Sequence, residues 1–277
     1  MGQPDFLVIG HVAKDLTGDS YRLGGTAAYS ALTARNLGRN PGVITSAGPD
    51  LELGRLLGGI DLVCIPSPVT TTFVNVYEAE RRHQRIDAVA ESIRENSIPS
   101  AWRRIPIVHL GPIVGEFEED LIELFPSSLV GLTPQGYLRK WDHQGRVSPR
   151  AWTRAGQFLP HIDALIVSED DLAGEAGALR SQLGLPGVAV VTEGAGGATL
   201  YHRGKAIHVF PRKTRVLDPT GAGDVFAAAF LVRLAETDDP HEAARFANVA
   251  ASLSVEKAGV ASAPDRGEIE AALSDTP

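Results

Sequence analysis

The stretch LDPTGAGDVFAAAFL, residues 217–231, sets two carboxylates, Asp218 and Asp224, six positions apart on either side of a glycine turn. Pro219 biases Asp218 toward an extended conformation. Gly221 and Gly223 permit close backbone approach. Beyond them Val225, Phe226, Ala229 and Phe230 recur at helical spacing, so a buried helix is expected to start at the turn. A helix N-terminus carries unpaired N–H donors and about half a unit of positive charge, which suits an anion. Asp224 would sit in the first helical turn. The helix field favours its ionised form, making it a candidate acceptor for a hydroxyl proton. The plainer alternative, an aspartate that only satisfies helix N–H groups, stays open on these residues alone.

Outward from this turn, short apolar runs bounded by turn residues alternate with helical patterns. The strand candidates are FLVIG (6–10), GVITSA (42–47), DLVCI (61–65), IPIVHLG (105–111), SLVGLT (128–133), DALIVS (163–168) and VAVVT (188–192). Near-continuous apolar runs of this kind suit strands buried on both faces. Helical stretches are expected at 26–38, 116–125, 168–183 and 221–235. The rhythm predicts an α/β fold, a Rossmann-like α/β/α sandwich around a mostly parallel sheet, in a single domain covering 1–277.

Two regions break the rhythm. TTTFVNVYEAERRHQRIDAVA (70–90) reads as a hairpin turning at Ala79-Glu80 and paired with a short strand near 18–23. Strands at about 14–23 and 70–90 would then form a small β lid. In an alternating strand only every second residue faces inward, so Asn75, Arg82 and Gln84 cannot all face a ligand. GATLYHRGKAIHVF (197–210) reads as a hairpin turning at Arg203-Gly204, at an antiparallel sheet edge.

Composition narrows the function. Asp and Glu outnumber Lys and Arg 34 to 26, a net charge of −8, which argues against a nucleic-acid surface. Cys64 is the single cysteine, so no internal disulfide can form, and a reducing cytoplasm fits. The opening MGQPDFLVIGHV reads as a first strand rather than a signal peptide, and no apolar window is long enough to span a membrane. The eight histidines show no metal-ligand spacing. GxxxxGK[ST] is absent, and Gly10 stands alone after the first strand, so neither a P-loop nor a dinucleotide fingerprint is present.

At these residues the chain resembles the ribokinase-like carbohydrate kinases, the PfkB family. DPTGAGDVFAAAFL is similar to the family's C-terminal signature. LGGTAAYSALTARNLG (23–38) resembles its glycine pair, helix and closing Leu-Gly, and IGHVAKDL (9–16) places Asp15 where the family has a sugar-binding aspartate. VTEGAGGATLY (191–201) resembles the strand and turn that border the nucleotide.

The resemblance implies a β-lidded α/β/α fold and transfer of the ATP γ-phosphoryl group to a substrate hydroxyl, with Mg²⁺. It makes Asp224 the base, and the N–H groups of Gly221, Ala222 and Gly223 the cradle for the transferring group. Asp15, Gly24, Gly25, Asn75, Gln135 and Arg139 become candidates for the acceptor. Ser168, Thr192, Gly194, Gly197 and Asn248 become candidates for the nucleotide. Asp171, with help from Glu169, would organise Mg²⁺. In some members a monovalent cation such as K⁺ lies near the first aspartate of the signature, which would place Asp218 and Thr220 beside it.

Two departures stand out. Ser168 and Asp171 replace the family's frequent Asn and Glu, and Tyr29 stands where many members have a sugar-contacting Asn. QGYLRKWD (135–142) is similar to the corresponding loop of plant myo-inositol kinases, a branch of the family. That makes a sugar or inositol-like polyol the expected acceptor, with a nucleoside kinase or a non-catalytic nucleotide or sugar sensor as alternatives. The exposed lid edge is compatible with a homodimer.

Overall fold

The computed structural model describes residues 3–17, 20–78 and 81–274, and it turns the apolar runs into strands close to their predicted places. β1 (Phe6–Ile9) leads through β2 (Ala13–Thr17) and β3 (Ser20–Gly24) into helix α1 (Thr26–Asn36). There follow β4 (Pro41–Ala47), the short α2 (Leu53–Leu56), β5 (Asp61–Pro66), and the pair β6 (Thr72–Glu78) and β7 (Arg81–Ala88). Then come β8 (Ile107–Leu110), β9 (Leu129–Leu132), β10 (Arg139–Trp141), β11 (Val147–Pro149), α3 (Ala155–Phe158) and β12 (Ala164–Ser168). β13 (Val188–Thr192), β14 (Ala198–His202) and β15 (Lys205–Val209) precede α4 (Ala222–Thr237), α5 (Pro240–Ser254) and α6 (Arg266–Ser274).

The large sheet runs β15-β14-β13-β12-β9-β8-β1-β4-β5. Its strands from β13 to β5 are parallel, and β14 and β15 form the antiparallel edge expected from the Arg203-Gly204 turn. The chain starts in the middle of the sheet, builds β4 and β5 to one side, and returns to build β8, β9, β12 and β13 on the other. The strand order therefore switches between β1 and β8, and a crevice opens there at the carboxyl ends of the strands. Glu116 braces this point. Its buried carboxylate accepts the N–H groups of His11 at 2.7 Å, Ile113 at 2.8 Å and Val114 at 2.9 Å.

One face of the sheet packs Phe6, Val8, Val43 and Val190 against α1, α4 and α5. Every residue of α4 from Val225 to Val232 is buried, as the apolar run predicted. The other face buries Leu7, Ile9, Val108 and Val167 under Phe117, Phe125 and Phe158.

Helices were expected on that second face at 116–125 and 168–183, and the structure has 3₁₀ turns there instead, at Glu119–Leu124, Asp170–Leu172 and Gly174–Gln182. Glu116 is spent on loop amides, and Pro126 drives Phe125 out of the helical region, which leaves too few residues for an α-helix between them. Ala173 is extended and Gly174 has φ +56°, so the second stretch is cut in two. The approach to Asp218 is irregular, with Val216 and Leu217 exposed.

A second sheet runs β3-β2-β6-β7 at the open end of the crevice. The pairing differs from the sequence expectation. β6 lies parallel to β2, with Lys14 opposite Thr72, and β3 takes the far edge. β3 must turn back to deliver Gly24 and Gly25 to α1, whereas β2 leaves the end of β1 directly beside Thr71, whose carbonyl accepts the Lys14 N–H at 2.8 Å. The expected turn at Ala79-Glu80 lies outside the described residues. No helix among the described residues is long and apolar enough to cross a membrane.

Candidate active site

α1 and α4 both begin at glycines and point their N-termini into the crevice. Gly25 precedes α1 with φ +85°, and Gly221 precedes α4 with φ +78°, in the left-handed region that side chains disfavour. The Gly221 turn also lies flat on the Tyr29 ring, which a Cβ at Gly221 would run into. Thr26, the first residue of α1, donates its hydroxyl to Asp224 Oδ1 at 2.7 Å, and Ser30 donates to the Asp224 carbonyl at 3.3 Å. The two helix starts are thereby tied together through the acidic residue.

Asp224 is half-buried and lines the crevice. Burial pushes its carboxyl up from the ordinary 3.8 to about 6; the Thr26 hydrogen bond opposes the shift, Asp171 and Asp15 add to it, and Arg139 lowers it. The shift runs opposite to the one expected from the helix field, because desolvation outweighs it, but a group near 6 is still mainly ionised at pH 7, as expected.

Two cavities meet at this point. The first, of 410 Å³, is lined by Asp15, Gly25, Thr26, Tyr29, Gln84, Gln135 and Arg139 together with Gly221, Gly223 and Asp224. The second, of 990 Å³, runs along the outer side of the turn past Glu193, Gly194, Gly197, Arg212, Lys213 and Asn248. Ser168, Asp170, Thr192, Pro219 and Gly223 border both.

Most of the predicted residues converge here. A Cβ on Gly24 would land on the Asp15 carboxylate, so the glycine pair makes room for that side chain. Arg139 Nη1 donates to Gln84 of the small sheet at 3.0 Å, and its Nη2 lies 3.6 Å from Asp171 Oδ1. Gln135 donates to the same Asp171 oxygen at 3.3 Å. Three other members of the QGYLRKWD cluster point outward: Lys140 pairs with Glu175, Trp141 is exposed, and Asp142 pairs with Arg146, whereas Tyr137 and Leu138 are buried in the core. Ser168 at the end of β12 donates to Asp171 Oδ2 at 2.7 Å and accepts the Asp171 N–H at 3.0 Å.

Others serve differently from expectation. Glu169 borders the second cavity but is gripped by both guanidinium nitrogens of Arg180, at 3.1 and 2.5 Å. Asn248 spends its amide donor on the carbonyls of Val209 at 2.9 Å and Phe210 at 3.4 Å, holding the segment that roofs the cavity. Asp218 is buried, and Arg22 of β3 reaches its Oδ2 at 2.7 Å. Its Oδ1 accepts the Thr220 N–H at 3.0 Å. Asn75 stands opposite Gln84 in the β6–β7 register, and Arg82 is two positions before Gln84. The three positions therefore share one face of the small sheet, contrary to the expectation that alternation would separate them; the side chains of Asn75 and Arg82 lie outside the described residues.

Thr26, Arg22, Thr133 and Asp170 were missed from sequence. Thr26 had a signal, as the first helical residue after the glycine pair. Arg22 had none, being 196 residues from its partner.

Comparison with known proteins accords with this geometry. Residues 140–266 match the description "pfkB family carbohydrate kinase". Ribokinase of Bacillus subtilis is 43% identical over 90 residues, covering 32% of this chain and 31% of that protein. Inositol 3-kinase of Zea mays is 31% identical over 152 residues, covering 54% of this chain and 39% of that protein. These aligned stretches span well under half of either relative. A solved pyrophosphate-dependent kinase in the ribokinase family, complexed with a pyrophosphate analog and myo-inositol, superposes with a TM-score of 0.81 at 25% identity, covering 96% of this chain and 99% of that one.

Proposed function

Because residues 140–266 match the pfkB family of carbohydrate kinases and the chain has the ribokinase fold, we propose that it transfers the γ-phosphoryl group of ATP to one hydroxyl of a small polyol, of the size and polarity of inositol. The observation that carries this reading is Asp224 standing where a polar cavity of 410 Å³ meets one of 990 Å³, beside the N-terminus of α4.

The acceptor occupies the smaller cavity. Asp15, Gln84, Gln135 and Arg139 offer hydrogen bonds to several hydroxyls, and the Tyr29 and Phe73 rings wall the apolar faces. The donor occupies the larger one. Pro211, Val216, Phe226, Ala251 and Val255 give it an apolar wall of the kind a nucleobase uses, with Arg212 and Lys213 near the phosphates. The acceptor oxygen attacks the γ-phosphorus, Asp224 takes the hydroxyl proton, and the bond to the β-phosphate oxygen breaks to release ADP. N–H groups of the 221–223 turn and the α4 dipole stabilise the charge on the transferring group.

Mg²⁺ fits this site. Asp170 borders both cavities and Asp171 lines the smaller one next to it, and no cluster of three or more metal-ligating side chains exists among the described residues. One or two carboxylates, water and donor phosphates are the usual shell for Mg²⁺, which when bound neutralises phosphate charge. Asp171→Asn is expected to raise the Mg²⁺ concentration for half-maximal activity about tenfold. An unchanged Mg²⁺ titration would move the metal role away from Asp171.

A second reading, pyrophosphate as donor, is favoured by the structural relative that uses it and by the cations of Arg212 and Lys213. Purified protein supplied with ATP or pyrophosphate, against polyols, hexoses and nucleosides, separates these readings by ³¹P NMR of the products. ATP with a polyol is expected to give a phosphate monoester. Transfer only from pyrophosphate would replace the donor, and transfer only to nucleosides would replace the acceptor. ATP binding without transfer to any alcohol would favour a sensor.

A further inference from the structure

The place beside Asp218, where the resemblance allowed a monovalent cation, is taken. Asp218 is buried, its Oδ2 receives the Arg22 guanidinium at 2.7 Å, and its Oδ1 receives the Thr220 N–H at 3.0 Å. A second unit charge there would lie against an existing one, so the residues present do not fit K⁺. Arg22 also stands opposite Asp15 in the β2–β3 register, so both project from one face of the small sheet.

The charge has a purpose. Asp218, Asp15 and Asp224 all act on the Tyr29 hydroxyl, which burial and these three carboxylates hold well above its ordinary range, and Arg22 opposes them. Tyr29 packs under Gly221, Asp218 and Asp224 flank that turn in the chain, and Asp15 lines the same cavity, so the turn sits among three carboxylates. A phosphoryl group arriving there is repelled unless a cation offsets the field.

Resting on the kinase reading, we infer that Arg22 supplies, as part of the chain, the positive charge that a bound monovalent cation would give, so that transfer is independent of K⁺. Because Arg22 belongs to β3, this charge arrives with the small sheet. Arg22 is a positioning residue: it sets the field and geometry of the 218–221 segment through Asp218 and does not enter the cavity lining.

The test compares wild-type protein, Arg22→Gln and Arg22→Lys in KCl and in N-methyl-D-glucamine chloride at matched ionic strength, which removes general screening. Wild-type turnover is expected to agree within about twofold between the salts, and Arg22→Lys to keep that independence. Arg22→Gln is expected to lose about tenfold or more in N-methyl-D-glucamine and to regain much of it with KCl or guanidinium chloride, by the usual scale of a lost charge-stabilising contact. Thermal unfolding gives a second readout that needs no turnover. KCl should raise the midpoint of Arg22→Gln and leave wild type unmoved. Tenfold activation or a clear midpoint rise of wild type by K⁺ would overturn the inference. So would an Arg22→Gln protein insensitive to K⁺ in both readouts. Absence of transfer with every donor and acceptor would count against the kinase reading instead, and the unfolding comparison would still decide the role of Arg22.

Discussion

Asp224→Asn lowers turnover by about 10²–10⁴-fold or more, leaves donor binding intact, and makes the protein more stable at neutral pH. The three effects have one cause. Asparagine keeps the size of the side chain and can still accept from Thr26, but it cannot take the hydroxyl proton. In the folded protein the Asp224 carboxyl holds its proton up to about 6, against 3.8 ordinarily. Between these values the folded state binds more protons than the unfolded chain, so stability falls as pH rises through that window. Above pH 6 the buried charge costs up to about 3 kcal/mol, a cost the amide does not incur. Urea unfolding of both proteins at pH 4 and pH 7.5 should show them close at the lower pH and Asp224→Asn ahead by about 1–3 kcal/mol at the higher. Wild-type kcat/KM should rise with pH through a limb near 6. Equal stability at both pH values would remove the burial argument. Retained turnover would remove the base.

Gly221→Ala is the second large effect, and here stability and activity fall together. Gly221 has φ +78°, and a Cβ there meets the Tyr29 ring inside a packed region. Left-handed backbone and overpacking together cost about 2–4 kcal/mol. Relief of the collision shifts the anion turn, for which a loss of about 10²–10³-fold in kcat is expected, as when one oxyanion donor is displaced. Gly223→Ala is the control. Nothing lies within 4 Å of its Cβ position, and it sits in the first turn of α4. That variant should match or slightly exceed wild-type stability, since alanine is the better helix former. Similar unfolding free energies for the two alanine variants would sink the conformational account of Gly221.

The alternation of apolar runs and helical patterns was legible because β-strands buried on both faces need continuous apolar residues, and that need is local. The carboxyl-end positions of Ser168 and Thr192 follow from the same pattern, since each closes such a run. The glycine turn at 221–223 was legible for a similar reason: a proline, two glycines and an apolar helix within fifteen residues restrict the backbone by themselves. The 3₁₀ turns on the second face were not. Their residues have ordinary helical composition; the carboxylate of Glu116, engaged with three loop amides, decides the first stretch together with Pro126, and the extended Ala173 and left-handed Gly174 divide the second.

Sequence alone, then, determined the doubly wound sheet, the helix start at the 221–223 turn, and the identity of its acidic residue, because backbone preference and apolar periodicity act within a few residues. Tertiary structure alone decided which charges those groups meet. It brought Arg22 to Asp218 across 196 residues, joined Arg139 to Gln84, and turned the Asn248 amide onto the strand end above it. It also raised Asp224 by enclosing it, since desolvation and Coulomb interaction depend on distance in space and not on distance along the chain.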